Sequence, residues 1–343
     1  PSELRSAITS LRESLDQRVY GMSEIKEEIM LFSMDRFLPS FSQHKTGKIL
    51  VIEGSPGVGK THLIRTLAKC WNLPFVGIAA GGCKDVSFWE GHGRTYEGAV
   101  PGRIVHAIKE MKAMNGVIYV DEIDKLSDQS QDVSSALMHL LDESQNSEWY
   151  DKFFQDVPLD LSKIFWVLSI NDRQLIHPVL RDRLHIIKVP DPTVNDKIET
   201  AKRILIPEIM DVYGLDQEDI VFPEDVLKEI ILQKTDKEKG LRRFKRCLEG
   251  IVQRVAYLKH TLVNLPSSAI WYAAQWSLQN NQPQPTTSAL LPKDNKDIFS
   301  KQTSFYFPEF RIPLTLTAKL IQKLLVNFKA DDTFDYAMSG WVL

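Results

Sequence analysis

The stretch ILVIEGSPGVGKT, running from Ile49 to Thr61, decides how the rest of this 343-residue chain is read. Its first part, Ile49–Glu53, is a near-continuous apolar run, as expected of a strand covered on both faces of a parallel sheet. Its second part, Gly54-Ser55-Pro56-Gly57-Val58-Gly59-Lys60-Thr61, fits G-x-x-x-x-G-K-[ST], and a helical pattern begins at once with His62 and the residues after it. The spacing has a chemical reason. Glycines let backbone N–H groups curl around a phosphate, and the helix N-terminus adds its dipole. Lys60 then reaches the β- and γ-phosphates, and the Thr61 hydroxyl ligates Mg²⁺. A bare glycine-rich turn is the alternative, and the strand before the loop and the helix after it weigh against it.

Outward from this stretch, short apolar runs recur at Phe75–Ala79, Val117–Val120, Ile164–Ile170 and Leu184–Val189. The segments between them are long enough for crossover helices, which predicts a doubly wound α/β domain on a parallel five-stranded sheet. Two of the runs end in chemistry-bearing residues. Val117–Val120 leads into Asp121-Glu122; Asp121 would lie beside the phosphate loop and hold the Mg²⁺ shell, and Glu122 would polarise the attacking water. Ile164–Ile170 ends in Asn171, whose amide can bond the γ-phosphate or orient that water, although a strand-ending asparagine is also an ordinary turn residue.

Upstream, Leu4, Ile8, Leu11 and Leu15 predict an amphipathic helix over residues 1–15, and a second helix covers Ser23–Phe37. Downstream of Val189 the strand signals stop. Helices are predicted over Asn195–Leu205, Pro223–Leu232 and Gly240–His260, forming a second, mostly helical unit. The Gln-, Asn-, Pro- and Ser-rich segment 264–308 reads as an irregular insertion, and a strand over Arg311–Thr317 and a helix over Ala318–Phe328 follow it. The expected organisation is therefore 1–40 as a helical lead-in, 41–191 as the α/β domain and 192–343 as the smaller helical unit.

Composition narrows the function classes. Forty-five acidic against 42 basic residues give a net charge of −3, which argues against a globally basic nucleic-acid wrapper. No apolar run approaches the roughly 20 residues of a membrane span, and no secretory leader is evident, so a soluble intracellular protein is expected. Cys70, Cys83 and Cys247 are odd in number and scattered, which fits a reducing compartment. With no His-Glu-x-x-His and no Cys-x-x-Cys, a structural zinc site is not expected.

With these motifs in place the sequence resembles the AAA+ ATPase module of the Lon proteases, from about Leu15 to Lys259 and more loosely to Val326. The most particular segments are GHGRTYEGAVPGRI (Gly91–Ile104), YVDEIDKLS (Tyr119–Ser127) and SSALMHLLDESQN (Ser134–Asn146). The resemblance implies a P-loop NTPase fold, with ATP and Mg²⁺ bound by the Gly54–Thr61 loop, His62 and Asp121, and with Tyr20 against the adenine. It implies that Arg183, with Arg181 as the nearby alternative, is supplied to a neighbouring subunit's nucleotide, and that Arg242 senses nucleotide from the helical unit. It also implies that Tyr96 grips substrate polypeptide in the pore of a ring, a homo-hexamer by family habit. By the same resemblance Trp149 and Tyr150 fall in the second pore loop, with aromatics of an edge strand as the alternative reading. Glu97 departs from the family, which usually has an apolar residue there.

Lon proteases continue into a domain with a Ser–Lys dyad in a PKDGPSAG-type motif. Here Pro292-Lys-Asp-Asn295 lacks the following Ser-Ala-Gly, so peptidase activity is not expected from this chain alone. The expectation is an ATP-driven polypeptide unfoldase or translocase. The alternatives are an ATPase module or partner of a Lon-type peptidase, an AAA+ protein acting on nucleic acid, and a nucleotide-binding scaffold.

Overall fold

Val51 takes Leu168 as its partner on one side and Ile186 on the other, so the strand that precedes the glycine-rich loop lies inside a sheet. The computed structural model describes residues 2–37, 49–81, 83, 85–95, 97–126, 131–142, 145–176, 184–235, 238–260, 305 and 310–326. They fall into two units, Pro1–Pro192 and Thr193–Leu343.

The first unit runs α1 (Ser2–Arg18), α2 (Ser23–Phe37), β1 (Ile49–Glu53), α3 (Lys60–Cys70), β2 (Phe75–Ala79), α4 (Ser87–Glu90), α5 (Arg103–Met111) and β3 (Val117–Asp121). It continues with α6 (Gln131–Leu141), a small antiparallel pair β4 (Trp149–Tyr150) and β5 (Pro158–Leu159), then β6 (Phe165–Ile170) and β7 (Leu184–Lys188). Five strands form one parallel sheet in the order β2-β3-β6-β1-β7. The C-terminal ends of β1, β3 and β6 therefore share one edge, with β1 between β6 and β7. In open α/β sheets that edge, where the strand order reverses, is where ligands bind.

Alternation along each strand feeds two cores. Ile49 and Val51 join Val76, Ile118, Val120 and Leu168 on the face covered by α5 and α6. Leu50 and Ile52 join Val117, Tyr119, Phe165 and Val167 on the other face, under α3 with Leu15 of α1 and Ile29 of α2. β1, β6 and all of β3 but Asp121 are buried throughout, as a doubly covered sheet requires. β2 differs: Val76 and Ile78 are buried, but Gly77 and Ala79 are exposed, because it is an edge strand covered on one face only.

The second unit is mostly helical. Thr193 and Asp196 form a reciprocal cap on α7 (Val194–Thr200), which passes through a π-helical stretch, Ala201–Leu205, into α8 (Ile206–Val212). The helix thus extends past the predicted Leu205. Pro207 has no N–H for the carbonyl four residues back, and the chain widens just ahead of it. Then come β8 (Ile220–Val221), α9 (Glu224–Lys234), α10 (Arg242–Leu258), β9 (Leu314–Thr315) and α11 (Ala318–Leu324). Phe244, Leu248, Ile251 and Val255 of α10 centre its core. Strand signals do not stop at Val189 after all. β9 lies within the predicted strand Arg311–Thr317, and its parallel partner β8, two residues long, is too short to show alternation in sequence. Of the predicted insertion 264–308, only Phe305 lies within the described residues.

Candidate active site

Gly54 begins the loop where its N–H donates to the Ile170 carbonyl at 3.1 Å, joining β1 to the end of β6. A side chain here would press on the Val189 carbonyl at 3.0 Å and on Val58 at 3.2 Å, so the close approach favours glycine. Val58 is buried and fastens the loop to the core. Gly59 stands at φ +100°, a left-handed backbone that favours glycine, and caps α3 with no side chain on its first amides. The result is a short backbone cradle opening on a helix N-terminus, a ready site for an anion.

Lys60 folds back over the cradle. Its Nζ donates to the carbonyls of Gly54 (2.5 Å) and Ile170 (3.2 Å) and to Asn171 Oδ1 (2.7 Å). Burial pushes the ammonium's pKa below its usual value, while Asp121, Asp124 and Glu122 pull it back up. The structure thus brings Lys60 and Asn171 together across 111 residues of sequence. Asn171 is itself held from below: buried Asp124 accepts its N–H at 3.0 Å and that of Asp172 at 3.4 Å.

Thr61 and Asp121 meet through one phenol. Thr61 Oγ1 donates to the Tyr119 oxygen at 3.4 Å, and Tyr119 donates to Asp121 Oδ1 at 3.2 Å. Burial and then the Asp121 charge push the Tyr119 pKa far above its ordinary value, so the phenol keeps its proton and donates. Ser169, fully buried on β6, donates a second hydrogen bond to Asp121 Oδ1 and accepts the Glu122 N–H at 3.1 Å. Glu122 stands at φ +58°, a left-handed conformation costing a non-glycine residue about 1–2 kcal/mol. Its carboxylate leaves the strand line and meets Lys125 Nζ at 2.7 Å. Thr61 and Asp121 offer hard oxygen ligands next to a phosphate cradle, a donor set that fits Mg²⁺ carried by a nucleotide.

Other predicted residues are placed differently. His62 is exposed, and its Nε2 lies 3.3 Å from the Arg18 carbonyl. The turn carrying Tyr20, two residues further on, therefore adjoins the start of α3. Trp149 is buried in the core of the first unit, which takes it off any substrate-facing surface; Tyr150 is the exposed aromatic of that pair. Arg242 opens α10 of the second unit. Tyr96, Arg181 and Arg183 lie outside the described residues.

Sequence reasoning passed over Ser169, Tyr119, Asp124 and Lys125. The signal for the first two was a lone hydroxyl within each of the apolar strands FWVLSI and VIYVD. Burying a hydroxyl there is costly without a partner, so its presence points to one.

Comparison with known proteins agrees with this geometry. Residues 50–191 match the family described as ATPase family associated with various cellular activities (AAA). The mitochondrial Lon protease homolog of Scheffersomyces stipitis is 40% identical over 257 residues, covering 74% of this chain and 23% of that protein. The peroxisomal Lon protease homolog 2 of Zea mays is 37% identical over 71% of this chain and 27% of its own length. The Lon protease of Dictyoglomus thermophilum is 38% identical over 73% of this chain and 31% of its own length. In each case the match spans less than a third of the relative. Residues 50–191 are thus an AAA ATPase domain, carried by a chain that is a relative of the Lon proteases.

Proposed function

We propose that this chain hydrolyses Mg-ATP and uses the cycle to unfold or translocate polypeptide, in the service of ATP-dependent proteolysis. The observation that supports this best is the convergence at one sheet edge of the Lys60–Asn171 pair with Asp121 and Glu122, which Ser169 ties to each other. In this reading the 54–59 amides and Lys60 hold the phosphates, and Lys60 exchanges its carbonyl acceptors for phosphate oxygens. Thr61 and Asp121 hold the metal. A Mg²⁺ ion held there would supply positive charge to neutralise the phosphates. Asn171 orients the water, and the Glu122 carboxylate takes its proton. Tyr20 and His62 flank the base side, and Arg242 reports nucleotide state.

Arg183, or Arg181, acts on a neighbouring subunit, which calls for a ring; six subunits is the number the family resemblance carries. Tyr96 grips the polypeptide, with Tyr150 rather than Trp149 as the second aromatic. The peptidase belongs either to a longer form of this polypeptide or to a separate partner. Nucleic acid is a weaker reading, given the net charge of −3. No described helix is long and apolar enough to cross a membrane; we place the chain inside the cell, in a compartment supplied with ATP.

The test is steady-state Mg-ATP hydrolysis with and without unfolded casein, in the wild type and in Glu122→Gln. Casein stimulation together with an inert variant that still binds ATP is expected. Full hydrolysis in Glu122→Gln would overturn the assignment.

A further inference from the structure

Asp151 lies between two surface loops, 91–102 and 149–157, and is wholly buried. Among the described residues it makes no ion pair; its carboxylate instead divides between the loops. Oδ2 accepts the Gly102 N–H at 2.8 Å, and Oδ1 accepts the Phe153 N–H at 2.8 Å. The fit leaves no spare room: a side chain at Gly91 would sit 2.8 Å from that carboxylate, and one at Gly102 would run into the Trp89 carbonyl.

Two further ties join the same segments. The Lys152 N–H donates to the Glu90 carbonyl at 2.7 Å, and Lys152 Nζ pairs with Glu90 Oε2 at 2.8 Å. Arg94 Nε donates to the Phe153 carbonyl at 2.5 Å, with its guanidinium 5.6 Å from the centre of the Phe153 ring. Each loop also exposes apolar side chains, Val100 on one and Tyr150 and Val157 on the other. Buried N–H groups bonded to a charged oxygen are among the stronger local fastenings a protein makes.

From this geometry we infer that Asp151 is a positioning residue that locks the two loops into one body, so that an extended apolar polypeptide is held by both at once. The role rests on the proposed action on polypeptide. Because loop 149–157 leads through β5 into β6, which carries Ser169 and is followed at once by Asn171, the body is continuous in the chain with the proposed nucleotide edge.

Two measurements separate this inference from that reading. Amide exchange on the full chain should show the Gly102 and Phe153 amides accelerating together in Asp151→Ala, which removes both acceptor oxygens, each by about tenfold or more, the scale of one lost charge-assisted hydrogen bond. Acceleration of one amide without the other, or of neither, overturns the coupling. Casein-stimulated hydrolysis is the second readout. Glu90→Lys, on the surface and away from the nucleotide, should raise the casein KM with basal hydrolysis retained, and adding Lys152→Glu should restore it. An unchanged casein KM in both Asp151→Ala and Glu90→Lys overturns the inference. If Tyr96→Ala also leaves casein stimulation intact, the pore-loop reading has failed with it, and the exchange data still decide whether the loops are coupled.

Discussion

Replacing Ser169 by alanine removes one hydroxyl that serves two masters. In the structure it donates to Asp121 Oδ1 and accepts the Glu122 N–H at 3.1 Å. The two losses are unequal. Asp121 Oδ1 keeps the Tyr119 hydroxyl at 3.2 Å, so it forfeits one of two donors. The Glu122 N–H loses the acceptor recorded for it, and it belongs to a residue already held at φ +58°. A hydrogen bond to a charged group contributes about 1.5–3 kcal/mol, and a donor left unsatisfied costs about 1–3 kcal/mol. Against a total stability of roughly 5–15 kcal/mol the variant still folds. Relieved of its tether, Glu122 relaxes from the left-handed conformation and its carboxylate drifts from the water it must activate.

We therefore expect hydrolysis to fall by about 10–100-fold, the usual cost of removing an outer hydrogen-bond partner, through kcat rather than through the ATP KM. The Mg²⁺ concentration for half-maximal rate should move much less, since Asp121 retains Tyr119. The assay is initial-rate hydrolysis over matrices of ATP and Mg²⁺, with circular dichroism to confirm folding. A folded Ser169→Ala variant with wild-type kcat would refute the reasoning. A variant whose whole loss lies in Mg²⁺ affinity would refute the division between the two carboxylates.

Tyr119→Phe removes the link between Thr61 and Asp121; it should cost about 1 kcal/mol of stability or less and raise the Mg²⁺ requirement, with a flat Mg²⁺ titration as the contrary result. Asp124→Ala leaves the Asn171 and Asp172 amides without their buried acceptor, and a total stability loss of about 1–3 kcal/mol is expected in urea titration, chiefly from the less exposed Asn171. Burial pushes the Cys247 thiol up to about 11, so the folded chain holds that proton more tightly than the unfolded one. That stability is complete below about pH 9 and lost as pH rises from about 9 to 11, by about 1.4 kcal/mol per pH unit at most. Urea midpoints should therefore fall more steeply above pH 9 in the wild type than in Cys247→Ala, and parallel curves would contradict the shift.

Much of the nucleotide edge was legible from local pattern alone. A phosphate loop needs its glycines, lysine and threonine within eight consecutive residues, because the backbone of one turn makes the cradle. Strands buried on both faces announce themselves as apolar runs, and β1, β3 and β6 fall where those runs lie. Partnerships across the sheet were not legible in the same way. Nothing near Ser169 in sequence says that β6 will lie beside β3, and only that pairing carries its hydroxyl to Asp121 and to the Glu122 amide. Trp149 and Tyr150 show the same limit: an aromatic in a short strand can face either way, and the packing of the first unit turns Trp149 inward and Tyr150 outward.

What the sequence determined by itself was the main strands of the sheet and the glycine-rich loop with Lys60 and Thr61, since both follow from short-range spacing. What only the tertiary structure decided was which buried polar groups answer one another: Ser169 with Asp121 and Glu122, Asp124 with the Asn171 amide, and Asp151 with Gly102 across 49 residues. A buried donor or acceptor must find a partner wherever the fold places one. That choice depends on strand order and loop approach, which no window of sequence contains.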